Sequence, residues 1–415
     1  MGRLTLGSPY TGSPYIGLMR YAFVLNPAAR NGRAARLRVS LERALRAKDL
    51  PFTYLETEEP GHATELAREA AQNHDVVVAV GGDGTVQEVA RGVFGTEAVM
   101  GIIPAGTGND FAKAIGMPTE FDKALSAMLR ADTVAVDVGR IRWQEKGEDG
   151  LLTEYKGMFV NCVGTGFDAA TAKATRRYKA LGGRLAYVAA VLETLWKWRK
   201  PDVEVEIRAG GMVDGGQKTE DGGQGSGVRG QGAEDGEQKT EGRRRRIEGR
   251  SQGSGVRGQK TDIRYPISDI GNPNPEILNL QPFNLQPSNP QQLAHIHTGS
   301  LFLIEIDNGF SVGGGFLLTP DAQIDDGLFD ICFVEHLTTR RALQLMPKTF
   351  TGAHVGEPEV KLFQARSVHI KSSAPLPVQA DGEILSASAV SLDVEIVPRA
   401  LQVRAPELRR PAAAG

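Results

Sequence analysis

Residues 76–80 form an unbroken apolar run, VVVAV, followed by GGDGT and then by Val86, Val89, Ala90 and Val93. The run has the pattern of a strand buried on both faces, and the i, i+3, i+4, i+7 spacing beyond it is that of an amphipathic helix. The alternation repeats on either side. Tyr21–Leu25 is a short strand ending in Asn26-Pro27 and AARNGRA, before a helix with Leu37, Leu41, Ala44 and Leu45 on one face. Residues 52–55 read as a strand, 63–71 as a helix, 99–103 as a strand ending in PAGTGND, and 111–115 as a helix. Such an order predicts a parallel sheet with right-handed crossovers, whose ligands bind at the carboxyl ends of the strands.

From Val136 onward the pattern changes. Apolar or alternating runs at 136–140, 158–163, 203–207, 301–306, 328–334, 368–371 and 390–397 predict an antiparallel sandwich. The expected fold class is therefore α/β plus β: an N-terminal three-layer α/β nucleotide-binding domain and a C-terminal antiparallel β-sandwich. Residues 178–198 break the strand pattern with a helical stripe of Leu185, Val188, Ala189, Leu192 and Leu195. Trp196, Lys197 and Trp198 at its end suit either a helix end packed on the core, the preferred reading, or a bilayer surface.

Two stretches lack any period. Residues 1–18 contain GSPY twice, and Met19 stands just before the first strand as the expected true start. In 209–293 the tripeptide QKT recurs every 21 residues and QGSGVRG occurs twice, ahead of a Pro/Asn-rich tail. Too little apolar surface is present there to offset the ordering entropy, so disorder is expected. The insertion separates VEVEIRAGG from TGSLFLIEIDNG, which read as neighbouring strands of one hairpin. The expected units are 19–135 (α/β), 136–208 with 294–404 (β-rich) and a tail at 405–415.

Bulk composition narrows the function. Net charge is −2, from 48 Lys+Arg against 50 Asp+Glu, so no global basic field argues for nucleic acid. The run of four arginines at 243–246 reads as a solvated charge run rather than a lipid or nucleic-acid contact. Cys162 and Cys332 lie singly in apolar runs and read as buried, reduced thiols, consistent with a cytoplasmic protein. No transmembrane segment or signal peptide is evident.

A strand, a glycine turn and a helix start make a phosphate site, because glycines admit close approach and free N–H groups favour an anion. GGDGT resembles the signature shared by lipid kinases, NAD kinases and phosphofructokinases. Together the NP, GGDGT and PAGTGND turns closely resemble the bacterial diacylglycerol kinase-like branch of the diacylglycerol and sphingosine kinase family. That resemblance spans about 19–208 and 298–404, and it implies ATP with Mg2+ and a lipid substrate met at the inner face of the membrane. A homodimer is left open. ATP-binding residues implied are Asn26, Gly81, Gly82, Asp83, Gly84, Thr85, Gly106, Thr107 and Asn109. An acidic network would comprise Asp83, Asp110 and Asp137, with Lys179 paired to it.

The late QADGE element is by composition a common hairpin turn. The resemblance makes Asp381 the general base and Glu383 a holder of magnesium-ATP. It also implies a structural magnesium at Asp326 and the Leu328 carbonyl, although Gln323 stands where an acidic ligand is expected and Asp325 would have to compensate. The Asn308–Gly315 glycine run is expected to be a bend. Diacylglycerol is the leading acceptor. Sphingoid, ceramide or other lipid alcohols, an NAD kinase, and a non-catalytic nucleotide-binding protein are the alternatives.

Overall fold

The computed structural model describes residues 19–28, 34–175, 177–178, 183–208 and 293–409. The expectations for 1–18, for the insertion from 209 to 292, for Lys179 and for the last six residues lie outside the described residues.

The N-terminal lobe follows the predicted alternation. Strands β1 (Tyr21–Leu25), β2 (Phe52–Glu56), β3 (Val76–Gly81) and β4 (Val99–Pro104) pair in parallel in the order β2-β1-β3-β4. All five residues of β1 and all six of β3 are buried, as the absence of polar alternation requires of strands covered on both faces. The helices between and after them are α1 (Ala34–Arg46), α2 (His62–Ala71), α3 (Asp83–Val93), α4 (Asp110–Ala114) and α5 (Phe121–Arg130). Helix α5 is absent from the sequence reading, yet it buries Ala124, Leu125, Met128 and Leu129 on one face. Its short pattern follows directly on the PAGTGND helix and is easily absorbed into a linker.

The C-terminal lobe is antiparallel. Its strands are β5 (Asp132–Lys146), β6 (Leu152–Phe159), β7 (Cys162–Gly166), β8 (Asp202–Arg208), β9 (Leu293–Ser300), β10 (Leu303–Asp307), β11 (Phe329–Val334), β12 (Lys361–Ala365), β13 (Ser367–Ala380) and β14 (Glu383–Ala405). Helices α6 (Phe167–Thr175), α7 (Gly183–Lys197) and α8 (Thr339–Leu345), the last continued by a 3-10 turn at Met346–Phe350, cover one side. The inward residues of β5, β6, β8, β10, β11, β13 and β14 form one apolar core around Trp143, Phe159, Phe329 and Phe333. A sandwich of alternating strands buries just such a set.

Two expectations about strands are corrected. The run at 158–163 is not one strand. It breaks at Val160–Asn161, where the chain leaves β6, paired with β5, and enters β7, paired with β10 and β13. The Asp381 carboxylate draws the N–H groups of residues 160–162 to itself, so they cannot continue a straight ladder. Likewise, the hairpin partner of β8 is β9, starting at Leu293, and not the strand that follows Thr298. The chain turns at Leu301 and Phe302, whose N–H groups go to Pro201 and Val334, and β10 then joins β7 and β11.

Strand β14 joins the lobes. Its first part pairs with β13 and β5, and after a register shift between Val397 and Leu401 its last part lies parallel to β4 at Val403↔Met100. The result is one continuous sheet path from β12 to β2.

Arg208 and Leu293 are register partners, so a short turn can close the β8–β9 hairpin. Replacing 209–292 by a four-residue turn should leave the thermal midpoint equal to the parent's or a few degrees above it, since a shorter loop costs less closure entropy and that cost grows only logarithmically with length. A markedly lower midpoint would show that the segment contributes to the fold.

Candidate active site

Three strand ends converge. The Asn26 amide donates to Thr85 Oγ1 at 3.3 Å, and its backbone N–H donates to the Val80 carbonyl at 3.2 Å. The Ala105 N–H donates to the Gly81 carbonyl at 2.6 Å, and a Cβ on Gly106 would lie 2.5 Å from the Gly82 Cα. Gly82 and Gly106 are thus needed to let two turns touch backbone to backbone. A Cβ on Gly84 would meet nothing within 4 Å, so this part of the α3 N-terminus has the open space a phosphate requires. Thr107 is exposed at the rim of the adjoining cavity.

Asp83 locks these turns. Its carboxylate accepts the N–H of Asn109 at 2.7 Å and of Asp110 at 2.6 Å, which satisfies the start of α4. Burial, and then the neighbouring Asp110, raise its pKa above the usual carboxylate range. Asn109, with φ of 53°, closes its own loop through reciprocal bonds with Gly106. Asp110 reaches the other lobe, accepting from Ser311 Oγ and the Gly314 N–H at 2.7 Å each, and pairs with Lys113 at 2.8 Å.

Asp381 stands opposite, in the β13–β14 turn, with φ of 49°. Its carboxylate accepts the N–H groups of Val160, Asn161 and Cys162, each at 2.9 Å. Burial raises its pKa to about 6, against the three N–H bonds and the Arg91 charge, which lower it. Glu383, two residues on, meets Arg91 of α3 at 3.4 Å. With its amide turned to satisfy both partners, Gln87 of α3 donates to the same Glu383 oxygen.

Between these walls opens a cavity of about 600 Å³ that Asp83, Asp110 and Asp381 all line. Its polar mouth gives way to an apolar interior walled by Phe167, Val191, Leu195, Phe302, Leu337 and Leu345, contributed by α6, α7, α8 and the adjoining segments. The size is that of a small-molecule site, but an interior this apolar suits a hydrocarbon chain.

Comparison with known proteins bears on the domains and the fold. Residues 20–141 match the model of the diacylglycerol kinase catalytic domain, and 278–405 match the YegS C-terminal NAD kinase beta sandwich-like domain. Residues 20–141 are thus a diacylglycerol kinase catalytic domain. It is 27% identical over 342 residues to a diacylglycerol kinase of Mycobacterium tuberculosis, covering 82% of this chain and 80% of that protein. It is 26% identical over 357 residues to a protein of Chromohalobacter salexigens named "Probable lipid kinase YegS-like", covering 85% and 83%. A solved diacylglycerol kinase from Bacillus anthracis shares the fold, with a TM-score of 0.53, 17% identity, and coverage of 93% and 97%.

Not every expected residue reaches the cavity. Asp137 is fully buried elsewhere, accepting the N–H of Gly327 at 2.6 Å and of Arg399 at 2.7 Å, so it ties β5 to the β14 irregularity. Asp326 lies near it. Burial raises its pKa to about 6, helped by Asp137 and Asp325, and its Oδ1 accepts the Leu328 N–H at 3.0 Å. Among the described residues, the groups of three ligand-bearing side chains in mutual reach are His295, His297 and Glu335, and Cys162, Glu305 and Asp307. Neither contains Asp326 or Glu383. The Asn308–Gly315 run is a bend, with φ of 58°, 84° and 133° at Gly313, Gly314 and Gly315, and it is also cavity wall.

The sequence reading missed Arg91, Gln87, Asp168, Glu305 and Gln379. Arg91 and Gln87 carry the helical spacing of α3, and Gln379 stands within the quoted QADGE, so those three had a signal. Glu305 breaks an apolar run, LFLIEID, and that polar intrusion in a buried strand was its signal.

Asp83→Ala should leave two N–H groups without their acceptor and lower stability by about 2 kcal/mol, read as a lower urea midpoint at unchanged slope. An unchanged midpoint would contradict the locking role.

Proposed function

We propose that the protein transfers the γ-phosphoryl group of ATP to the hydroxyl of a lipid alcohol, with diacylglycerol, the lipid in its relatives' names, as the reference acceptor. The observation that carries this reading is the single cavity joining Asp83, Asp110 and Asp381 to an apolar interior. An NAD kinase would have no use for such an interior. A non-catalytic binder would have no use for a buried carboxylate with a pKa near neutrality.

In this reading the α3 N-terminus and the GTGN turn receive the phosphates, with Gly84 and Thr107 nearest and Asp83 and Asn109 holding the turns in shape. Magnesium, when bound with ATP, supplies charge neutralisation over the phosphates. Glu383 fits a role in holding it, because its carboxylate is one-third exposed and its contact with Arg91 is long. Asp381 takes the acceptor proton. Three N–H donors fix the orientation of its carboxylate, and burial keeps it basic enough to act as a general base. The lipid enters from a bilayer, and among the described residues no helix is long and apolar enough to cross one. We place the protein in the cytoplasm at the inner membrane face, with the nucleotide on the 19–135 side of the cleft.

Labelled ATP with a panel of lipids in mixed micelles tests the reading. Asp381→Asn should lower kcat by a factor of about 10²–10⁴. Wild-type kcat/KM should rise as pH passes about 6, where Asp381 loses its proton. The raised value also means that the folded state holds this proton more tightly than the unfolded chain. Stability from this group is therefore lost as pH climbs from about 4 to about 6, and Asp381→Asn should flatten that slope. Full turnover in Asp381→Asn would contradict the mechanism.

A further inference from the structure

Strands β10, β7 and β13 place Glu305, Gly164 and Gln379 in register, side by side across one face of the sheet. Directly opposed residues share a face, so the two polar side chains flank the glycine. A Cβ on Gly164 would come within 2.2 Å of Glu305 Oε2 and 2.8 Å of both Asp168 Oδ2 and Gln379 Nε2. Three polar atoms from three elements therefore fill the space that a side chain would take.

The cluster lines the cavity, with Glu305 and Gln379 buried and Asp168 half-buried. Glu305 is 0% exposed, and Gln379 donates to its Oε1 at 3.1 Å and to Asp168 at 3.0 Å. Gln379 Oε1 accepts the Gly382 N–H at 2.9 Å, which connects the cluster to the turn bearing Asp381. Burial above all, then Asp168 and Asp307 beside it, push the Glu305 carboxyl well above its ordinary range. Its Oε2 has no donor at ordinary hydrogen-bond geometry among the described residues, with the Cys162 thiol and the Asp168 carboxyl beside it. A buried acceptor left without a donor costs about 1–3 kcal/mol. The glutamate is kept in this wall of the cavity against that cost.

We propose that Glu305, with Asp168 and Gln379, is a specificity subsite that accepts a hydrogen bond from a second donor on the acceptor lipid, beside the hydroxyl that is phosphorylated. This rests on the lipid-kinase reading above and narrows it. A diacylglycerol offers only ester oxygens next to its reacting hydroxyl, and these cannot donate. A diol lipid such as a monoacylglycerol supplies the missing donor, and an amino-alcohol lipid does so with a charge. A site that hydrogen-bonds a substrate group rejects the analogue lacking it more strongly than an apolar pocket discriminates by size.

The test compares kcat/KM for 1-monoacylglycerol, a sphingoid base and diacylglycerol of matched chain in mixed micelles. Wild type should favour a donor-bearing lipid by about tenfold or more. In Glu305→Ala that ratio should collapse through loss on the donor-bearing lipid, while Glu305→Gln, which keeps a carbonyl oxygen, should retain part of it. A thermal midpoint for Glu305→Ala at or above that of wild type would show that the variant is folded. Equal use of all three lipids, a preference for diacylglycerol, or a ratio untouched by Glu305→Ala would overturn the subsite while leaving a lipid kinase. Failure of wild type to phosphorylate any lipid would instead overturn the reading on which the subsite depends.

Discussion

Three backbone N–H groups, of Val160, Asn161 and Cys162, point at one carboxylate, that of Asp381. In bonding them, Asp381 breaks the chain between β6 and β7 and lets it pass from one layer of the sandwich to the other. Its own N–H returns a bond to the Cys162 carbonyl at 2.9 Å, so the corner is held from both sides. The cavity opens beside this corner, lined by Val160, Asn161, Cys162, Asp381 and Gly382. The carboxylate that fixes the corner also lines the cavity. Burial raises its pKa while the N–H bonds oppose the rise, leaving a group that titrates near neutrality.

The lobes are coupled by few but varied contacts around that corner. Asp110 reaches across to Ser311 and Gly314, and Arg91 reaches Glu383. Strand β14 carries main-chain pairing from the sandwich into the parallel sheet. Asp137 pins the bend in β14 by accepting the Arg399 N–H. Of the acidic residues in the motifs, two therefore bridge lobes or turns near the cavity, whereas Asp137 serves the hinge of the long strand.

Much of this was legible in the chain. Buried parallel strands announce themselves as unbroken apolar runs, and β1, β3 and β4 start where their runs start. GGDGT, PAGTGND and QADGE are compact motifs, and the structure brings Asp83, Asp110 and Asp381 to one cavity. What escaped depended on distant partners. Residues 158–163 look like one strand because nothing local reveals that a carboxylate some 220 positions away will take their N–H groups. The β8–β9 hairpin is not legible in the sequence because β9 buries its contacts through two histidines, His295 stacked on Phe363 and His297 edge-on to Phe333, which are not apolar by type. Asp168 and Gln379 gain meaning only once β7, β10 and β13 lie side by side.

The central claim is spatial: phosphates lie at the α3 N-terminus, and a lipid hydroxyl lies against Asp381 in the same cavity. A crystal structure of the protein with a non-hydrolysable ATP analogue, magnesium and a monoacylglycerol tests it most directly. The account predicts phosphate oxygens within hydrogen-bond distance of the 82–85 backbone, the lipid hydroxyl within reach of the Asp381 carboxylate, and the alkyl chain between α7 and α8. A lipid bound outside the cavity, or phosphates held away from the GGDGT turn, would contradict it.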